Sequence, residues 1–256
     1  MANKDTIRET FDISSSVQGS GFLAGVELEV ESIKDCGPMP AGWAVETDGS
    51  LRNEGREFIS PPLGRDSLVT HFKLIHKNLR HYSAYPKFSE RTSIHVHVNM
   101  LNLTQEQTKS VLFWYAVFEP IFFSMVAYNR RNNIHCVGLD QTIVNESYKR
   151  TLPVLTGRWS KYTALNLLPL KSQGTIEFRH MEGHDDAEKF AEWLGVIERL
   201  WAYGQINILK TTHLEPEELL KAFDTIFGGT SVQGLKELVL TLIEDNVMDI
   251  KLALFN

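Results

Sequence analysis

Three stretches of the chain alternate apolar and polar residues with the period of two that a half-buried strand produces. In 25–31, Val26, Leu28 and Val30 oppose Glu27, Glu29 and Glu31. In 93–99, Ile94, Val96 and Val98 oppose Ser93, His95, His97 and Asn99. In 175–179, Ile176 and Phe178 oppose Thr175, Glu177 and Arg179. These patterns predict strands over 22–32, 92–100 and 175–181, and 162–169 reads as a further strand. A strand over 43–47, a turn at Asp48-Gly49-Ser50 and a return strand over 56–60, ended by Pro61-Pro62, make a hairpin. Helical spacing appears over 67–80, where Leu68, Phe72, Ile75 and Leu79 share one stripe. It appears again after Thr104, which can cap a long helix with Gln107 as its capping-box partner.

That second helix runs into 111–128, which is apolar almost throughout and near the minimum length for a membrane span. Glu119 and Pro120 stand at its centre, where a charge costs about 2.5–3.5 kcal/mol on insertion, so a core helix is expected. The segment 130–157 is polar and irregular and reads as an active-site loop or lid. Residues 1–20, with their Ser14-Ser15-Ser16 and Gly19-Ser20-Gly21 runs, read as a flexible lead-in. The rest, 21–256, reads as one domain whose portion from about 185 onward is helical. The class expected is α+β, an antiparallel sheet with helices covering one face.

Composition narrows the function. Hydrophobic residues at 43% and charged residues at 23% of 256 fit an ordinary globular protein. A net charge of -6 lacks the basic footprint of a general nucleic-acid binder. Cys36 and Cys136 are too few for a disulfide framework, and residues 1–18 lack the apolar core of a signal peptide. A cytoplasmic protein that does not enter the membrane is the expectation.

The polar strand faces carry the chemistry. Each alone reads as a solvated face, but together they are selective for metal-ligand residues. If the three strands share one sheet with these faces together, Glu27, Glu29, Glu177 and His95 converge. Carboxylates about 4–6 Å apart repel and are driven to hold protons unless cations share the site. Oxygen ligands with few imidazoles suit Mg²⁺, or Mn²⁺, better than Zn²⁺. The hairpin adds Asp48 and Glu57, and Arg179 offers a fixed fork for a phosphate oxygen. Divalent cations with an arginine are the equipment of phosphoryl transfer.

Four blocks in this order resemble the amidoligase family of the glutamine synthetase and glutamate–cysteine ligase superfamily. They are Gly25-Val26-Glu27-Leu28-Glu29; Asp48-Gly49-Ser50 leading to Glu57-Phe58-Ile59-Ser60-Pro61-Pro62; Ser93-Ile94-His95-Val96-His97; and Thr175-Ile176-Glu177-Phe178-Arg179. Arg131 followed by His135-Cys136 is a softer fifth. The resemblance implies a glutamine synthetase catalytic-domain-like fold whose concave sheet face holds ATP and paired Mg²⁺ ions. It implies Glu29, Asp48 and Glu57 as ligands of the ion bordering the substrate, and Glu27, His95 and Glu177 as ligands of the ion on the nucleotide phosphates. Arg179 is similar to the arginine on the transferred phosphoryl group, with Asp48 and Glu57 beside it in the catalytic set. Asn166 is similar to an asparagine near nucleotide or substrate, and Arg130 or Arg131 to a residue binding a carboxylate or phosphate. His97 is either a partner of a ligand or structural, Glu31 reads as a surface residue at a strand end, and Glu54 competes for the roles given to Asp48 and Glu57.

The activity implied is ATP-dependent amide-bond formation between a small-molecule or peptide carboxylate and an amine. ATP would convert the carboxylate to an acyl phosphate, a better acyl donor, and the amine would displace phosphate. The rivals are a metal-dependent hydrolase built on His95, His97 and the acids, and a nucleotide-binding relative without turnover. No Gly-x-x-x-x-Gly-Lys-Ser/Thr loop is present, so a P-loop enzyme is excluded.

Overall fold

The alternating stretches form one sheet. The computed structural model describes residues 5–17, 19, 21–83 and 85–255. Its strands are β1 (Ala24–Val30), β2 (Ala44–Thr47), β3 (Arg56–Ile59), β4 (Ser93–Asn99), β5 (Leu165–Asn166) and β6 (Thr175–Glu182), in the order β2-β3-β1-β4-β6-β5. Every pairing is antiparallel. β6 has one residue more than β4 between the pairs Ile94–Met181 and Val96–Phe178, a bulge at Arg179–His180 of the kind that re-aims side chains beside sites.

The helices are α1 (Ile7–Thr10), α2 (Arg65–Tyr82), α3 (Gln105–Ser124), α4 (Gln141–Lys149), α5 (Leu152–Thr156), α6 (Ala187–Ile206), α7 (Pro216–Phe227), α8 (Val239–Leu242) and α9 (Glu244–Phe255). The apolar strand residues Val26, Leu28, Ile94, Val96, Ile176 and Phe178 join one core with α2, α3 and α6. Phe178 meets Tyr115 edge-on at 5.9 Å, and Phe72 of α2 stacks on Phe190 of α6 at 4.3 Å. Gly204 permits a close crossing of α6 on α3, since a Cβ there would lie 2.8 Å from the Cα of Val111. The apolar run is a core helix: α3 buries residues on all sides, and no helix among the described residues is long and apolar enough to cross a membrane. The capping box of Thr104 and Gln107 is present.

Three expectations need correction. Within the lead-in, Ile7 is fully buried, its N–H donates to Leu103 O, and the Arg8 guanidinium donates to Ser15 O and Val17 O. Residues 5–17 are thus docked, with Thr6 and Glu9 forming a capping box; 1–4, 18 and 20 lie outside the described residues. The segment 130–157 is not irregular throughout: Asp140 caps α4 by accepting Ile143 N–H, and α5 follows. The strand expected over 162–169 shrinks to β5, because 168–171 turn into a 3₁₀ helix that includes Pro169.

Candidate active site

Sheet register, more than any single residue, assembles the polar face. Glu27 stands across from His95, Glu29 across from Glu57, and His97 across from Glu177, which also faces Asn166. These side chains are not a solvated face. Glu29, His95, His97 and Glu177 are 6%, 5%, 8% and 3% exposed, as burial between two strands and the covering loops requires.

Two groups result, each with its ligand atoms within 4.8 Å of one another: Glu27, His95 and Glu177, and Glu29, Asp48 and Glu57. In the first, His95 Nδ1 lies 3.2 Å from both Glu27 Oε2 and Glu177 Oε1, and His97 Nε2 lies 3.1 Å from Glu27 Oε1. Arg179 pairs with Glu177 Oε1, and Asn166 Nδ2 donates to Glu177 Oε2 at 2.6 Å. Burial disfavours the Glu27 carboxylate, but hydrogen bonds and positive charge from His95 and His97 win and hold it well below the ordinary carboxylate range. Burial likewise opposes a charged His97, yet Glu27 and Glu177 raise its pKa.

The second group is almost purely acidic. Ser93 supports Glu29, donating its N–H at 2.7 Å and its Oγ–H at 2.6 Å to Oε2. Asp48 accepts the Ser50 N–H at 2.7 Å, a tight local turn that fixes the hairpin tip. Among the described residues Glu57 forms no ion pair: burial, then the charges of Glu27, Glu29, Asp48 and Glu46, push it up to about 7. Three converging carboxylates, one of them driven to keep a proton, fit a divalent cation, whose charge would remove that repulsion. In the first group two carboxylates and one imidazole likewise make an oxygen-rich set.

Both groups border a cleft of about 770 Å³ that Arg130, Asn132, Asn133, Ile134, His135, Lys161, Tyr162 and Arg179 also line. A smaller cavity of about 350 Å³ shares Glu27 with it and has apolar walls at Val17, Leu23, Ile59, Pro62 and Leu101.

Of the two expected arginines, Arg130 lines the cleft and Arg131 does not. Arg130 is buried, with Nε and Nη2 donating to His180 O and Arg179 O at 2.8 and 2.6 Å. Arg131 Nε donates to Phe123 O, and its guanidinium lies 5.7 Å from the Tyr128 ring centroid. Glu31 is not a surface residue: it is 4% exposed and accepts the Arg52 N–H at 2.9 Å, tying down the turn after β2. Glu54 is exposed in left-handed backbone at φ 60° and joins neither group. Ser93 is a further functional residue, signalled by its place two residues before His95 on the same face; its Oγ lies 2.8 Å from His95 Nε2.

A family model described as "Putative amidoligase enzyme" matches residues 5–201. The chain belongs to this amidoligase family. No curated protein matches it. Among solved structures, the chain is similar to a GmaS/ADP complex at 10% identity, covering 90% of this chain and 70% of that one, with a TM-score of 0.50. It is also similar to a structure described as a novel glutamine synthase homolog, at 13% identity and a TM-score of 0.48, covering 92% of this chain and 66% of that one. Identities this low speak to fold alone, and the fold of this amidoligase family member is similar to that of the GmaS/ADP complex.

Proposed function

We propose that this protein is an ATP-dependent carboxylate–amine ligase working through an acyl phosphate. The observation that carries the proposal is the pair of adjacent acidic groups on one buried sheet face with Arg179 beside them. Glu27, His95 and Glu177 would hold one divalent cation, and Glu29, Asp48 and Glu57 the other. Bound there, Mg²⁺ or Mn²⁺ would neutralise charge on the nucleotide phosphates.

The chain's own groups do the rest. Arg179, aligned by Glu177, presents its guanidinium to the phosphoryl group in transfer and stabilises the charge that develops on it. The smaller cavity, apolar and next to Glu27, takes the base end of the nucleotide, which leaves the larger cleft to the carboxylate and the amine. Asn132, Asn133, His135 and Lys161 supply donors along that cleft for a substrate acid. Asn166 and Ser93 act by fixing Glu177 and Glu29, and such partners of a ligand are worth about 10–100-fold in activity or metal affinity.

The test is incubation with Mg²⁺, ATP and pooled acids and amines, measuring ADP and new amides. Both should form together, and Glu29→Gln and Glu177→Ala should each suppress both by more than about 100-fold, beyond the effect of losing a ligand's partner. Turnover without ATP in a zinc-containing preparation would establish the hydrolase instead.

A further inference from the structure

Glu119 is an acid inside an apolar helix, and neither carboxylate group uses it. It is 6% exposed, and its oxygens accept the Leu139 N–H at 3.0 and 2.9 Å. Its Oε1 also accepts the Tyr115 hydroxyl at 2.6 Å, and Tyr115 Oη lies 2.7 Å from Nε2 of the fully buried His180. Gly138 makes room for this contact: a Cβ there would meet Glu119 Oε2 at 3.0 Å.

The stretch that ends at Leu139 begins at Arg130, itself clipped to the carbonyls of Arg179 and His180. Between the two clips, Asn132, Ile134 and His135 line the larger cleft as exposed side chains, while only Cys136 of this stretch is fully buried. The position of this wall therefore comes from its anchors: Arg130, the buried Cys136, His135 O accepting from Arg179 Nε, Val137 hydrogen-bonded to Tyr162 and Ala164, and Glu119. A leucine at 119 would fill an apolar helix surface, whereas a buried carboxyl brings a desolvation cost. Packing alone gives no reason for an acid here; the Leu139 N–H and the Tyr115 hydroxyl do.

We infer that Glu119 is a positioning residue. From α3 it fixes the wall at 131–139 and, through Tyr115 and His180, ties that wall to β6, the strand that carries Glu177 and Arg179. It thereby sets the spacing between the substrate side of the cleft and the phosphoryl-transfer groups. The kinetic half of this inference rests on the ligase reading; the structural half does not.

Glu119→Leu keeps the apolar packing and removes the acceptor for Leu139 N–H. Glu119→Gln keeps a carbonyl for Leu139 and an amide that can meet the Tyr115 hydroxyl. Amide hydrogen exchange over 134–139 should quicken at least about tenfold in Glu119→Leu and stay parental in Glu119→Gln, with exchange in β1 and β4 unchanged in both. In turnover, Glu119→Leu should lower kcat about tenfold or more and raise KM for the acid while leaving KM for ATP unchanged, with Glu119→Gln near the parent. Gly138→Ala, which crowds the same contact from the loop side, should accelerate the same amides and carries the test if Glu119→Leu does not fold. Parental exchange over 134–139 in both Glu119→Leu and Gly138→Ala, or acceleration spread evenly over the chain, overturns the inference. So does a Glu119→Gln protein that behaves like Glu119→Leu. If the parent shows no ATP-dependent amide formation, the ligase reading fails, and the exchange comparison alone still decides whether Glu119 holds the wall.

Discussion

The two acidic groups are neighbours on one sheet face, yet their charge is balanced in opposite ways. Around Glu27 and Glu177 the chain supplies its own compensation: His95, His97, Arg179 and the Asn166 amide. Around Glu29, Asp48 and Glu57 the described side chains give hydrogen bonds from the neutral donors of Ser93 and Ser50, and the buried Arg130 guanidinium acts on Glu29 through its charge without an ion pair. Worse, the register sets Glu57 directly across from Glu29 on one side and Glu46 on the other. Like charges facing each other across strands are destabilising. The first group is thus preorganised by the protein, while the second is left with negative charge that something from outside must meet. Removing one acid should have opposite consequences for folding in the two groups, even where both removals abolish activity.

The largest effect on stability belongs to the compensated group. Glu177→Gln takes the charge from under Arg179 and His95, and breaking a buried pair in this way costs about 3–5 kcal/mol. Measured in chelator, its melting temperature should fall by roughly 2–4 °C for each kcal/mol lost. A melting temperature equal to the parent's would mean that Arg179 and His95 find other partners and that the group is not preorganised.

Glu119 separates burial from crowding, because it is raised to about 7 by burial while its hydrogen bonds to Tyr115 and Leu139 pull the other way. The folded protein therefore holds this proton more tightly than the unfolded chain, whose ordinary value is 4.5. The resulting stability is fully present below about pH 4.5 and is lost as pH rises through about 7. Relative to Glu119→Gln, the parent should lose on the order of 3 kcal/mol across that window, read from paired melting curves. A gap that does not change with pH would show that the carboxyl ionises as freely as in water. Salt should leave the gap nearly unchanged, since no neighbouring carboxylate drives it and screening acts little on buried groups.

Much of this arrangement was legible from alternation alone. The period of two in 25–31, 93–99 and 175–179 places the acids and histidines on one face of their strands, and nothing else in the chain has to be known for that. Which acid faces which is a matter of register, set by the hairpin and by the bulge at Arg179–His180, and spacing along the sequence does not encode it. Arg130 and Arg131 show the same limit. They are adjacent and chemically identical, but the 3₁₀ turn at Tyr128–Arg130 sends one guanidinium beneath β6 and the other out toward Phe123 and Tyr128. The docked N-terminus carries its own signal: Thr6-x-x-Glu9 around Ile7 is a capping box beside an apolar residue. The role of Glu119 was hidden for another reason. An acid in an apolar run reads as an anomaly until the backbone N–H it serves, twenty residues further on, is in view.

The smallest effect tests the comparison most sharply, because it reverses sign. At pH 8 in chelator, Glu57 is ionised in both folded and unfolded protein, so the folded state bears its repulsion with Glu29, Asp48 and Glu46 in full. Glu57→Gln removes that repulsion and keeps the side-chain shape. It should therefore raise the melting temperature, by roughly 2–4 °C for the ~1 kcal/mol that a facing pair of like charges costs. With Mg²⁺ added, the order should invert. The parent gains about 2.7 kcal/mol when the ion stands at 100 times its dissociation constant, whereas Glu57→Gln, short of one ligand, gains less. A Glu57→Gln protein that melts below the parent in chelator would mean that Glu57 is held by favourable contacts after all, and the distinction between a self-balanced group and one that awaits a cation would fall.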